Sequence, residues 1–182
     1  MPNYGDKATN LVWIDLEMTG LDINKDAIIE IATIVTDKDL NILAYGPDLA
    51  IQTPESVLAT MDDFVLNMHT QNGLLERVRK STITLEQAEK MTLDFIQKFT
   101  NVRTAPLCGN SIGTDKMFLV KHMPNLVKHL HYRMIDVSTI KQLNFLWGFD
   151  YAYEKQGTHL ALDDIKESIG ELAFYRQKFF QK

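Results

Sequence analysis

Asp15 and Glu17, two acids one residue apart, are the first residues of this chain whose types and spacing could do chemistry. They lie in Leu-Val-Trp-Ile-Asp-Leu-Glu-Met-Thr-Gly-Leu-Asp, residues 11–22. The apolar start of that run favours a buried strand. Side chains at i and i+2 of a strand share a face, so the two carboxylates are expected side by side at the strand end. Like charges held that close repel unless a cation sits between them. Mg²⁺ and Mn²⁺ prefer carboxylate oxygen, which makes a metal site one reading. A solvated strand end carrying two unrelated acids is the other.

Two further clusters bear on the choice. Near the C-terminus, Gly-Thr-His-Leu-Ala-Leu-Asp-Asp-Ile occupies residues 157–165. A helix is expected from Thr158, with an apolar stripe of Leu162, Ile165, Ile169, Leu172 and Ala173. At about 100° per residue, Asp163 points away from this stripe, toward solvent. Asp164 flanks it beside Ala161 and Ser168 and can face a cleft, and His159 can lean over the same cleft from the helix start. The third cluster is Cys-Gly-Asn-Ser-Ile-Gly-Thr-Asp, residues 108–115. There a strand ends and Asp115 enters the first turn of a helix, where an acid also complements the helix dipole. Taken singly, the second and third clusters also read as surface groups. Together, Asp15, Glu17, Asp115 and Asp164 all fall at strand ends or helix starts. Four carboxylates and a histidine are what two-metal phosphodiester hydrolysis requires. Its cations sit about 3.5–4 Å apart, and a base takes the proton of the attacking water.

Other residue types carry less. Cys108 has no basic neighbour in sequence and reads as a small buried thiol. His122, His129 and His131 lack the spacing of a structural zinc site. Ser138 lacks the Gly-x-Ser-x-Gly elbow of a hydrolase nucleophile.

The elements that must position these residues follow from pattern and punctuation. Strands are expected over 11–15, 28–36 and 41–45, joined by connections short enough for an antiparallel meander. Pro47 and Pro54 mark a loop. Short helices are expected over 62–69 and 73–80. Thr84-x-x-Gln87 resembles a capping box and opens a helix with Ala88, Met91, Leu93, Phe95, Ile96 and Phe99 at helical spacing. A fourth strand over 105–109 leads to a helix over 114–122, which ends before Pro124. A fifth strand over 134–137 precedes a helix that Ser138 caps. The result is an α/β fold, a mixed five-stranded sheet of three antiparallel and two parallel strands flanked by helices. Residues 1–9 read as a flexible polar tail and 10–182 as one domain.

Composition sets bounds. The chain has 182 residues, 45% hydrophobic and 24% charged, enough for a single domain with a substantial core. Its one cysteine excludes an intrachain disulfide and fits a reducing, cytoplasmic compartment. Glu30 interrupts the apolar run 28–35, so no membrane span is expected. A formal net charge of −5 argues against a broad basic face for long nucleic acid.

The motifs themselves resemble a known family. Asp15-x-Glu17, Asp115 and His159-x4-Asp164, in this order, are similar to the DEDD exonuclease superfamily in its histidine-containing branch. More closely, the run 13–21, Cys-Gly-Asn-Ser-Ile-Gly over 108–113, Tyr132-Arg133, Asp-Val-Ser-Thr over 136–139 and Lys-Gln-Gly-Thr-His over 155–159 resemble the bacterial oligoribonuclease family. The likeness runs through residues 10–180. It implies an RNase H-like fold, a homodimer, and 3′→5′ hydrolysis of short single-stranded RNA to 5′-mononucleotides. By the same likeness Asp15, Glu17, Asp115 and Asp164 hold two Mg²⁺ or Mn²⁺, with His159 as general base. Leu21 matches a wedge against the bases. Ser111, Arg133 and Ser138 match a cap on the terminal 5′-phosphate, with Tyr132 supplied across the dimer interface. Where the family has a stacking Trp, this chain has Phe64, a π-face of smaller area. The competing expectations are a DNA 3′-exonuclease, separated by contact to the 2′-OH, and a non-catalytic nucleic-acid-binding module.

Overall fold

The computed structural model describes residues 4–154 and 160–180. Five strands form one mixed sheet in the order β3-β2-β1-β4-β5. They are β1 Leu11–Met18, β2 Ile28–Thr36, β3 Ile42–Ala50, β4 Leu107–Gly109 and β5 Met134–Asp136. β1, β2 and β3 run as the expected antiparallel meander, and β4 and β5 add in parallel to β1. The helices are α1 Glu55–Leu58, α2 Asp63–Gln71, α3 Leu74–Lys80, α4 Leu85–Ile96, α5 Gly113–His122, α6 Pro124–His129, α7 Val137–Leu146 and α8 Ala161–Tyr175, with a π-helical turn over Arg176–Phe180. None of these is long and apolar enough to cross a membrane.

Alternation along β1 divides the core in two. Val12, Ile14 and Leu16 face a cluster that includes Ile96 of α4, Phe118 and Leu119 of α5 and Leu126 of α6. Leu11 and Trp13 face the other way, toward Ala161, Ile165 and Ile169 of α8. β2 is buried along its whole length, as an apolar β-branched run between two helical layers must be. Cys108 is buried at β4, where burial pushes its thiol pKa up, so it is the inert thiol expected.

Several boundaries differ from the sequence reading, each for a physical reason. β1 continues to Met18, so the two acids lie within the strand. β3 continues to Ala50 and includes Pro47, which was expected in a loop. β3 is an edge strand with an extra residue between Tyr45 and Asp48 opposite Ile34 and Ala32, and edges and bulges tolerate a missing N–H. Gly46 is required at that bulge, because a Cβ there would meet the Phe95 ring at 2.5 Å. α7 is capped by Asp136, whose carboxylate accepts the Ser138 N–H at 3.0 Å, and not by Ser138. α8 begins at Ala161, later than Thr158. α1 and α6 are short helices that the pattern did not reveal. In the N-terminal segment the Tyr4 ring packs on Phe99 at 5.4 Å, and Thr104 Oγ1 donates to the Lys7 carbonyl.

The capping box at α4 is present in both directions, Gln87 N–H to Thr84 Oγ1 and Thr84 N–H to Gln87 Oε1. Thr84→Ala is expected to lower stability by about 1 kcal/mol. Urea unfolding should show a lower midpoint with an unchanged slope, and an unchanged midpoint would show that the box contributes nothing.

Candidate active site

The period of two that buries Trp13 also places Asp15 and Glu17 on the α8 side of β1. α8 crosses β1 and β2 there and brings Asp164 to them. Carboxylate oxygens of Asp15, Glu17 and Asp164 all lie within 4.8 Å of one another. Asp115, from the first turn of α5, arrives from the other layer and accepts the Leu16 N–H at 3.0 Å. Asp115 is thus anchored to the peptide between the two β1 acids, next to the three-acid group. Asp163 faces away and pairs with Lys166 at 2.8 Å. The opposite directions of Asp163 and Asp164 read from the helical angle are those observed. His159 lies outside the described residues.

The electrostatics are those of charges crowded out of water. Burial, reinforced by Asp115, Glu17 and Asp164, raises the Asp15 pKa well above the ordinary carboxylate value. Burial and the neighbouring acids push Glu17 up to about 8, and burial pushes Asp115 up to about 7. Among the described residues no lysine or arginine pairs with Asp15, Glu17 or Asp115. An oxygen-only donor set with this unbalanced charge suits a hard divalent cation such as Mg²⁺ or Mn²⁺.

Two groups flank the acids that the sequence reading did not place there. His69 of α2 is fully buried. Its Nε2 lies 3.1 Å from the Met18 carbonyl and 3.9 Å from Glu17 Oε2. A carbonyl only accepts, so the Nε2 proton is directed to Met18. Glu30 of β2 stands opposite Glu17 in the antiparallel register. Its position was available in the sequence as the lone acid of an apolar run, but its role depends on pairing that only the fold reveals.

The other candidate residues fall into separate groups. Ser111, with a positive φ of 50°, follows β4. Its N–H donates to Asp136 Oδ1 and Ser138 Oγ, each at 2.9 Å, and the two serine hydroxyls are 3.1 Å apart. Ser111 and Ser138 are therefore brought together at the C-terminal ends of the parallel strands. Tyr132 and Arg133 precede β5, with the guanidinium 5.1 Å from the Tyr132 ring centroid. Among the described residues no hydrogen bond joins this pair to the serines. Leu21 is exposed at a turn braced by Asp26, which accepts Thr19 Oγ1 at 3.0 Å and Asp22 N–H at 2.8 Å. Gly20 is needed there, since a Cβ would come within 2.5 Å of the Asp26 carboxylate. Phe64 is exposed on α2, the helix that also carries His69.

Comparison with known proteins accords with this geometry. The model of the RNase T-type exonuclease family matches residues 12–172. An oligoribonuclease of Francisella tularensis subsp. tularensis is 56% identical over 171 residues, covering 94% of this chain and 96% of that protein. An oligoribonuclease of Vibrio parahaemolyticus is 55% identical over 174 residues, with the same coverage. Among solved structures, exonuclease I from Methylocaldum szegediense superposes with a TM-score of 0.68 at 15% identity. Escherichia coli exonuclease I, solved with a 5cy-dT13 oligonucleotide, gives 0.60 at 14%. Both matches cover 94% of this chain but only 41% of the exonuclease I chains, and they show the shared RNase H-like fold. The family match over residues 12–172, on a five-stranded mixed sheet whose central strand and α8 bring the acids together, places the chain among the exonucleases. The chain belongs to the RNase T-type exonuclease family and, within it, to the oligoribonucleases.

Two expectations follow. In the unfolded chain the carboxylates titrate near 4, whereas in the folded, metal-free protein Glu17 and Asp115 hold their protons to about 8 and about 7. The folded state then binds more protons over that window, so its stability falls as pH rises from about 4 to about 8. Thermal melts in EDTA should show this decline, each kcal/mol lost lowering Tm by about 2–4 °C. Mn²⁺ should restore Tm more at pH 8 than at pH 5.5, and a flat EDTA profile would contradict the electrostatics described. Second, Asp164→Asn should raise the metal-free Tm and weaken Mn²⁺ binding more than about tenfold, a loss of over 1.4 kcal/mol. Asp163→Asn weakens an exposed pair worth about 0.2–1 kcal/mol and should leave Mn²⁺ binding unchanged. Equal losses in the two variants would reverse the assignment.

Proposed function

We propose that the chain is a 3′→5′ exoribonuclease that hydrolyses short single-stranded RNA, dinucleotides above all, to 5′-mononucleotides. The observation that carries this reading is the group of three carboxylates within 4.8 Å, in a chain 56% identical to an oligoribonuclease. Asp15, Glu17, Asp115 and Asp164 would hold two Mg²⁺ or Mn²⁺. When bound, such ions lower the pKa of water and neutralise charge on the phosphate. His159 is the general base. It must be neutral to accept the proton of the attacking water, so activity rises with pH through its titration. The water oxygen bonds to phosphorus, the P–O3′ bond breaks, and the departing 3′ oxygen takes a proton from solvent.

The same reading gives the substrate contacts their roles. Leu21 and Phe64 offer apolar surface to the bases. Ser111, Ser138 and Arg133 enclose a terminal 5′-phosphate, with Tyr132 contributed across a homodimer interface. A guanidinium fork binds a terminal dianion better than a bridging monoanion. The acidic net charge of −5 fits, because no broad basic track recovers binding energy from additional phosphates. The working unit is a homodimer of single exonuclease domains, each spanning residues 10–182, and it acts in the cytoplasm.

The test is initial rate at subsaturating substrate for 5′-phosphorylated RNAs of two to seven nucleotides, with Mn²⁺ and with EDTA. The dinucleotide should be fastest and EDTA should abolish turnover. Removing its 5′-phosphate should slow it about 10–100-fold, as expected for about 1.5–3 kcal/mol of charged hydrogen bonding, and Arg133→Ala should shrink that difference. Equal rates at all lengths would reject the phosphate cap. Equal rates on the deoxydinucleotide would remove the RNA assignment, and no turnover of any substrate would leave a binding module.

A further inference from the structure

Glu30 is a buried acid that the proposed chemistry does not use. It is almost fully buried, at 1% exposure, in a strand whose other members are apolar residues or threonine. Its Oε1 pairs with the Arg77 guanidinium of α3, and the other branch of that guanidinium pairs with Asp48 of β3 at 3.0 Å. Its Oε2 accepts the main-chain N–H of Ala161 at 3.2 Å. Ala161 is the first residue of α8, and its N-cap, Leu160, has no side chain able to cap. The first N–H groups of a helix need partners from outside the helix. Here one partner is a carboxylate fixed to the sheet.

We infer that Glu30 is a positioning residue that sets the height of α8 on the sheet, and through it the place of the Asp164 carboxylate beside Asp15 and Glu17. Ala161 and Asp164 are three residues apart, about 4.5 Å along the helix axis and close to one face. A shift at Ala161 is therefore transmitted directly to Asp164. The carboxylate chemistry is required, because Glu30 must satisfy a cation on one side and an N–H donor on the other. A glutamine has one oxygen and serves only one of the two. An apolar side chain would remove a buried charge that also repels Asp15 and Glu17, but it would leave the Arg77 guanidinium and the Ala161 N–H without their carboxylate, and removing one partner of a buried pair is destabilising. The acid thus stands where charge is least welcome, and the bond it makes there is to the helix that carries a site residue. The inference rests on the reading that the acids bind divalent cations.

The experiment is Mn²⁺ titration of the metal-free protein, followed by the EPR signal of free Mn²⁺, with Tm measured on each variant. Glu30→Gln and Arg77→Met are compared with wild type. Arg77 is partly exposed, 39% for its side chain, so its replacement leaves the core intact. Both variants should bind Mn²⁺ about 10–100-fold more weakly, the range for residues that orient metal ligands. Arg77→Met is decisive because it leaves the region more negative. If Glu30 acted only through its charge, Arg77→Met would bind Mn²⁺ as well as wild type or more tightly, and the positioning role would be rejected. Lower Tm with unchanged Mn²⁺ affinity in both variants would make Glu30 merely structural and would also reject it. Failure of the wild type to bind Mn²⁺ would instead overturn the metal reading on which the inference stands.

Discussion

The mutual repulsion of Asp15, Glu17 and Asp164 is the constraint around which the rest of this structure is arranged. Three carboxylate oxygens within 4.8 Å, in a largely dehydrated setting, oppose the docking of the helix that carries one of them. The docking is held by apolar contact elsewhere. Ala161, Ile165 and Ile169 of α8 are buried against Trp13, Ala32 and Ile34 of the sheet. Fully burying an isoleucine side chain contributes about 1.5–3 kcal/mol, so a few such contacts outweigh a crowded but protonatable group of acids. The raised carboxylate pKa values record the remaining strain. A cation held between such acids would relieve it, and folding and cation binding would then be linked through the same side chains.

The sheet topology makes this crowding possible. β1 is the strand with an antiparallel neighbour on one side and a parallel neighbour on the other. Its C-terminal end is therefore reached by the loop after β4, by α5 in one helical layer and by α8 in the other. Asp115 and Asp164 come from opposite layers and meet acids of the strand between them. Parallel addition also aligns the ends of β4 and β5, which is why Ser111 and Ser138 share Asp136 as a hydrogen-bond acceptor. Open α/β sheets tend to bind ligands outside the carboxyl ends of their strands, and both groups of candidate residues lie there.

Local periodicity made much of this legible from residues alone. A period of two placed Asp15 with Glu17, and a period of 3.6 separated Asp164 from Asp163, because both are properties of a single element. Features created between elements were not legible. The Pro47 bulge reads as a loop until β3 is known to be an edge. Asp136 and Ser138 are both good N-caps, and only the β5 geometry selects Asp136. His69 reads as an ordinary helical histidine until α2 packs over the end of β1. The start of α8 belongs with these features, since its first N–H is satisfied from a strand. His159, the motif residue that would complete the site, lies outside the described residues.

The start of α8 shows how such a site can be tied to the fold. A helix with Ser, Asp or Asn at its N-cap completes its own end wherever it lies. Leu160 cannot do this, and among the described residues the first N–H of α8 finds its partner in Glu30 of β2. Glu30 is held in turn by Arg77, which also reaches Asp48 on the neighbouring strand. The place of Asp164 is thereby tied to contacts spread over β2, β3 and α3. Asp115 is held differently, by a hydrogen bond to the peptide between Asp15 and Glu17. One acid is set by the sheet at long range and another by the strand at short range. Both devices use a carboxylate accepting a main-chain N–H, a contact that fixes direction as well as distance. Apolar packing supplies the energy that brings the helices onto the sheet, and these few directed bonds decide where their acids come to rest.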